Sequence, residues 1–246
     1  SDQLREWSGL LVRTLEPLVD PALITAIGEA GEAMRAFTAD VIAWKRSQPG
    51  DDLLSALIGA EEAGDVLSDQ ELLQQVMLLY IAGHETTVNL IGNGMLALLR
   101  HPDQLDRLRA DPSLDPNAVE ELLRYDSPVQ MSRRITLGPV EVAGQVIEPG
   151  AFVALVLASA NRDTAHWGET AVDLDVGRDG AHQHLSFGGG AHYCLGAALA
   201  RLEGQVAIGR LARRFPRLEL ADGVEWNGRL NLRGLTRLPV EVRARA

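Results

Sequence analysis

The only cysteine of this chain, Cys194, sits in Phe187-Gly188-Gly189-Gly190-Ala191-His192-Tyr193-Cys194-Leu195-Gly196, directly before a long amphipathic helical pattern. A lone thiol cannot close an intrachain disulfide, so the fold must rest on packing. Clustered glycines let the backbone approach a large flat partner, and a helix N-terminus stabilises a thiolate through its unpaired N–H groups. Plainer readings stand beside that one. A solitary cysteine is commonly a small buried hydrophobe. His182, His184, His192 and Cys194 are zinc-donor types, although structural zinc sites usually carry more sulfur in paired spacings. His192 beside Cys194 also has the residue types of a Cys–His hydrolase.

The spacing Phe-Gly-x-Gly-x-His-x-Cys-x-Gly resembles, at every defined position, the haem-ligand loop of the cytochrome P450 monooxygenases of soluble bacterial type. The resemblance implies that Cys194 is the axial ligand of a haem b iron and that Phe187 packs near the sulfur. Gly188, Gly190 and Gly196 would then allow close approach, and His192 would bond a haem propionate. It also implies a mainly α fold: a partial haem-thiolate monooxygenase fold, with a long central helix and a helical core carrying small antiparallel sheets.

Composition bounds the rest. With 246 residues and 46% hydrophobic content, the chain can bury a sizeable core. No uninterrupted apolar stretch reaches a membrane span, and the N-terminus reads as an amphipathic helix without a signal core, so a cytoplasmic protein without membrane association is expected. A formal charge of -11 without a compensating basic run argues against nucleic-acid binding.

Periodicity predicts mostly helices. Leu4, Trp7, Leu11 and Leu15 recur at helical spacing, and a second pattern runs from about Pro21 to Lys45. Asp51 and Asp52 suit the start of a short helix, and Ser68-Asp69-Gln70-Glu71 is a capping-box pattern ahead of a helix reaching Arg100. A short helix carries Leu105 and Leu108, and Asp115-Pro116 opens another, with Asp as cap. Val140 to Val142, Gln145 to Ile147 and Phe152 to Leu157 read as antiparallel strands, and Asn161 to Ser186 as an irregular meander. Leu195, Leu199, Leu202 and Val206 mark a helix after the cysteine, and the tail from Leu230 to Val242 reads as short strands around Gly234.

Within the long central helix, Ala82-Gly83-His84-Glu85-Thr86-Thr87 sets an acid and hydroxyls among apolar positions, and a local bend is expected. The segment resembles the family's Ala/Gly-Gly-x-Asp/Glu-Thr-Thr motif. By that match Gly83 lies where the helix passes over the haem, and Thr86 with Glu85 forms the alcohol and acid pair of a proton relay.

Glu121-Leu122-Leu123-Arg124 places opposite charges on one helix face, ordinarily a weak surface pair. In the family the same Glu-x-x-Arg is buried and fixes the meander supporting the haem loop, commonly with a third partner, an Arg. Here Asp173 stands where that Arg is expected, with Arg178 or His182 as substitutes. Pro128 to Thr136 resembles the segment that lines the substrate pocket and sends an Arg to a haem propionate. Arg134 takes that role, with Arg133 as fallback.

The resemblance extends over nearly the whole chain, so residues 1–246 are expected to be the C-terminal portion of a single haem-thiolate monooxygenase domain. The family's N-terminal helices have no counterpart, so haem should be held weakly or exposed unless a complementing N-terminal segment completes it. The implied reaction inserts one atom of dioxygen into a lipophilic small molecule of secondary metabolism, such as a terpenoid, macrolide or fatty acid. Leu79, Ala82, Val129, Met131, Leu232 and Leu235 would surround that substrate. Electrons would come from a ferredoxin and ferredoxin reductase, docking on basic side chains such as Arg201 and Arg210. A haem-binding module without turnover is the rival reading.

Overall fold

The computed structural model describes residues 2–17, 20–62 and 67–242. They fall into two compact units, residues 1–85 and residues 86–246.

The first unit is helical: α1 (Asp2–Leu11), a 3₁₀ turn over Val12–Leu15, α2 (Pro21–Ser47), α3 (Leu53–Glu62) and the opening half of α4 (Asp69–Arg100). Local chemistry sets the helix starts. The Asp20 carboxylate accepts the Ala22 N–H at 2.9 Å, with Pro21 at the first helical position. At α4 the capping box forms in full: the Ser68 N–H donates to Glu71 Oε2 at 2.7 Å, and the Glu71 N–H donates to Ser68 Oγ at 3.3 Å. α1 packs on α2, where the rings of Trp7 and Phe37 meet edge-on at 6.2 Å. Ile42, Ile58 and Leu72 form a second small core.

The second unit takes the rest of α4, then α5 (Pro102–Ala110), α6 (Asp115–Tyr125), short helices α7 (Leu157–Ala160) and α8 (Thr164–Trp167), and α9 (Ala197–Arg214). The strands are β1 (Ser132–Ile135), β2 (Val140–Val142), β3 (Gln145–Ile147), β4 (Phe152–Leu155), β5 (Leu218–Leu220), β6 (Glu225–Trp226), β7 (Leu235–Arg237) and β8 (Val240–Val242). They pair only as antiparallel couples, β1 with β4, β2 with β3, β5 with β8 and β6 with β7. The β2–β3 hairpin turns on Ala143 (φ 51°) and Gly144 (φ 76°), the left-handed pair a tight hairpin requires. Among the described residues no helix is long and apolar enough to cross a membrane.

The helix marked by Leu195, Leu199, Leu202 and Val206 forms as α9. The stripe Leu199, Leu202 and Val206 faces solvent, and Leu195 is 89% exposed. The buried face of α9 is instead Ala197, Gly204, Ile208, Gly209 and Ala212. Small residues win that face because α9 lies close against its neighbours: a Cβ on Gly204 would stand 3.1 Å from both Leu90 Cδ2 and Val119 Cγ1. Asp115 is not a cap, since Leu114 holds that position and the Asp115 carboxylate pairs with Arg213 of α9. Across Ala82–Thr87, α4 remains α-helical.

Candidate functional site

The Glu-x-x-Arg pair is buried and complete. Glu121 and Arg124 are both fully excluded from solvent, joined by Arg124 Nε to Glu121 Oε2 at 2.6 Å and Nη2 to Oε1 at 2.8 Å. The remaining guanidinium hydrogens go to meander carbonyls, from Nη1 to Asn161 at 2.8 Å and Ala171 at 2.6 Å, and from Nη2 to Asp173 at 2.8 Å. Every donor of the guanidinium is thereby used. The third partner is Arg178, whose Nε donates to the two Glu121 oxygens at 3.1 and 3.2 Å. Asp173 contributes only its carbonyl, and His182 is exposed.

This cluster anchors the meander, and a neutral network anchors its end. Buried Asn161 donates from Nδ2 to Ser127 Oγ at 2.8 Å and Ser186 Oγ at 2.9 Å, while its Oδ1 accepts the Leu185 N–H at 2.7 Å. Phe187 follows at once, and the cysteine loop begins. The loop closes on itself, because the Cys194 N–H donates to the Phe187 carbonyl at 3.0 Å and the Tyr193 N–H to Gly190 at 3.0 Å. Gly188 (φ 71°) and Gly190 (φ 69°) adopt the left-handed conformation that favours glycine. The Cys194 thiol is free and half-exposed. His192, Gly189 and Gly190 are exposed, and nothing lies within 4 Å of where a Cβ on Gly189 or Gly190 would stand.

Sequence reasoning missed what sits behind the loop. His184 is buried; the Ser186 N–H donates to its Nδ1 at 3.1 Å, leaving the hydrogen on Nε2, 2.9 Å from Glu120 Oε2. Arg201 forks the same carboxylate, with Nε to Oε1 at 2.5 Å and Nη2 to Oε2 at 3.2 Å. Its side chain is only 26% exposed, so Arg201 is not a free docking cation, whereas Arg210 is exposed. Residues 81 positions apart meet here, and no local pattern signals it. His184 is committed to this network, and among the described residues no group of three or more His, Cys, Asp or Glu side chains could hold a metal ion. The zinc reading therefore has no donor set.

Burial alone would raise the Glu120 pKa, but the hydrogen bonds from His184 and Arg201 outweigh it and bring it from 4.5 down to about 2. A depressed carboxylate stabilises the fold fully above its unfolded value and loses that contribution as pH falls through the folded one. Unfolding midpoints should thus drop between pH 4.5 and about 2, and Glu120→Gln should flatten that part of the profile. Equal acid profiles for the two proteins would contradict it.

The other predicted residues are distributed as follows. Leu79, Ala82, Gly83 and Glu85 lie in the first unit, with Ala82 and Gly83 exposed and open space where a Gly83 Cβ would stand. Thr86 opens the second unit, half-buried. There Val129 pairs with Leu232, Gln130 donates its N–H to the Asn231 carbonyl at 2.8 Å, and the Met131 N–H donates to Asn231 Oδ1 at 3.3 Å. Leu232 is 2% exposed and so supports Val129 without offering a surface, and Leu235 is half-buried. Arg134 is exposed on β1, where its Nη1 donates to Ser132 Oγ at 2.6 Å and the Arg133 carbonyl at 2.7 Å; Arg133 lies over the Phe152 ring at 6.0 Å.

Comparison with known proteins gives this arrangement a context. The family model described as Cytochrome P450 matches residues 25–112 and 114–242. Cytochrome P450 107B1 of Saccharopolyspora erythraea is 47% identical over 243 residues, which is 97% of this chain and 58% of that protein. Vitamin D(3) 25-hydroxylase of Pseudonocardia autotrophica is 48% identical over 250 residues, 100% of this chain and 60% of that protein. The chain thus spans somewhat over half the length of these relatives. Among solved structures, P450BioI in complex with an acyl carrier protein ligated to hexadec-9Z-enoic acid superposes with a TM-score of 0.92 at 40% identity, covering 98% of this chain and 62% of that one. CalO2 superposes with a TM-score of 0.91 at 34% identity, covering 98% and 61%.

Proposed function

Because this chain belongs to the cytochrome P450 family, we propose that it is the haem-holding portion of a monooxygenase that inserts one oxygen atom from dioxygen into a lipophilic substrate. One observation carries the reading: the sole thiol is half-exposed on a self-closed glycine loop whose Gly188 and Gly190 backbones only glycine adopts readily.

The residues fit a haem b. Cys194 supplies the soft anionic ligand, the bare backbone at Gly189 and Gly190 leaves room for a flat ring, and exposed Leu195 and Leu199 offer it apolar surface. When bound, the haem would supply oxygen activation, with thiolate donation favouring cleavage of the oxygen–oxygen bond. His192 and Arg134, or Arg133 in its place, would hold the propionates by charge-assisted hydrogen bonds. For Arg134 this requires exchanging its contacts to Ser132 Oγ and the Arg133 carbonyl. Phe187 would shield the sulfur, and Gly196 would give close approach.

Thr86 would pass a proton from its Oγ1 into the pocket, replenished by the carboxyl of its neighbour Glu85. Thr86→Ala should lower product formed per reducing equivalent by about ten-fold or more while electrons continue to be consumed. Unchanged coupling removes Thr86 from the relay. Within the second unit, substrate choice falls to Val129, Met131 and Leu235, with Leu232 behind Val129. Electrons come from a ferredoxin and its reductase, with exposed Arg210 as a docking cation.

The test is the absorption spectrum of the reduced, carbon monoxide-bound chain after haem loading. A thiolate-type band supports the reading. A neutral-thiol or imidazole-type band alone overturns it.

A further inference from the structure

We propose that Arg201, braced by Glu120, is a positioning residue that clamps both ends of the cysteine loop. A loop with glycines at positions 188, 189, 190 and 196 has little intrinsic stiffness. Its internal hydrogen bonds fix its shape but do not fix where it stands against the helices. Arg201 does the second job. From α9 its guanidinium lies over the Phe187 ring at 4.6 Å, at the start of the loop, and its Nη1 donates to the Tyr193 hydroxyl at 3.2 Å, beside Cys194.

The cation is held from the opposite side. The two-bond fork to Glu120 fixes the plane of the guanidinium, and Glu120 is fixed in turn by the Nε2 hydrogen of buried His184. Phe187 is thereby enclosed by Arg201, by the His184 ring at 5.5 Å and by the Tyr193 ring at 6.3 Å. α6, α9 and the loop meet at one guanidinium. Lysine could keep the charge but could not serve the fork and Tyr193 at once, so the geometry calls for arginine. The consequence for iron ligation rests on the reading of Cys194 as haem ligand; the clamp itself does not.

The test uses the full chain with Arg201→Gln, Arg201→Lys and Tyr193→Phe. Alkylation of Cys194 by iodoacetamide without added haem should speed up about ten-fold in Arg201→Gln and about three-fold in Tyr193→Phe, with Arg201→Lys between wild type and Arg201→Gln. Amide exchange should quicken over residues 188–196 and stay unchanged in α5. After haem loading, part of the carbon monoxide band should move from the thiolate to the neutral-thiol type, a change that simple loss of stability would not produce at an unaltered melting midpoint. Wild-type alkylation rates in both Arg201→Gln and Tyr193→Phe overturn the clamp. Should Arg201→Gln not fold, Tyr193→Phe decides alone, because it removes only one hydroxyl from an exposed ring. If wild type shows no thiolate band, the haem reading falls, and the alkylation rates still decide the clamp.

Discussion

Arg124→Ala should destabilise the chain by about 3–5 kcal/mol, the range for removing one partner of a buried ion pair. The size follows from what would be stranded. Glu121 has no solvent exposure, and it would keep only Arg178 and the Asp175 N–H, the latter at 3.0 Å. The carbonyls of Asn161, Ala171 and Asp173 would lose a charged donor in the interior. The guanidinium also lies over the Trp167 ring at 5.3 Å, so packing is lost with charge. Arg124→Lys should recover less than half of the loss, because an ammonium has three donors in no fixed plane. Urea unfolding followed by circular dichroism measures both variants. A loss below about 1 kcal/mol would put this pair among ordinary surface pairs.

The legible parts of the fold were those written in local chemistry. Ser68 and Glu71 announce α4 because a capping box is complete within one turn. The cysteine loop was legible because left-handed backbone at Gly188 and Gly190 requires a particular residue type at particular positions. α9 was legible as a helix but not as a packed one. Periodicity identifies a face without saying which face is inside, and the leucine stripe lost to Gly204 and Gly209, where close approach outweighs side-chain area. β6, at two residues, is too short for alternation to register.

The sequence narrows the third partner of Glu121 only to Arg178 or His182, because register cannot be counted through a segment without periodicity, and the fold selects Arg178. Arg178 reaches the carboxylate from five residues beyond Asp173, at the far side of the turn through Asp175 and Gly177. The set of Glu120, His184 and Arg201 was illegible for a related reason. Its members come from α6, the meander and α9, and each alone reads as an ordinary exposed charge or a stray imidazole. Only the tertiary arrangement turns them into a brace.

Cys194→Ser should abolish the thiolate-type carbon monoxide band completely while leaving the fold intact. A serine hydroxyl is nearly isosteric with the thiol but is not ionised near neutral pH, so the anionic donor disappears. The backbone has no reason to change. The loop is held by the Cys194 N–H to the Phe187 carbonyl, by Ala197 N–H to the Cys194 carbonyl at 3.3 Å and by the Arg201 contacts, none of which uses the sulfur. The side chain is half-exposed, and a change of this kind outside the core falls within about 0.5 kcal/mol. Melting midpoint and band shape therefore separate two explanations: loss of both would mean a folding defect, and loss of the band alone would isolate the ligand. Because the chain has no other cysteine, a thiolate band persisting in Cys194→Ser could not come from this protein's sulfur. An imidazole-type band already present in the wild type would instead transfer the ligand role to a histidine, with exposed His192 the nearest in sequence.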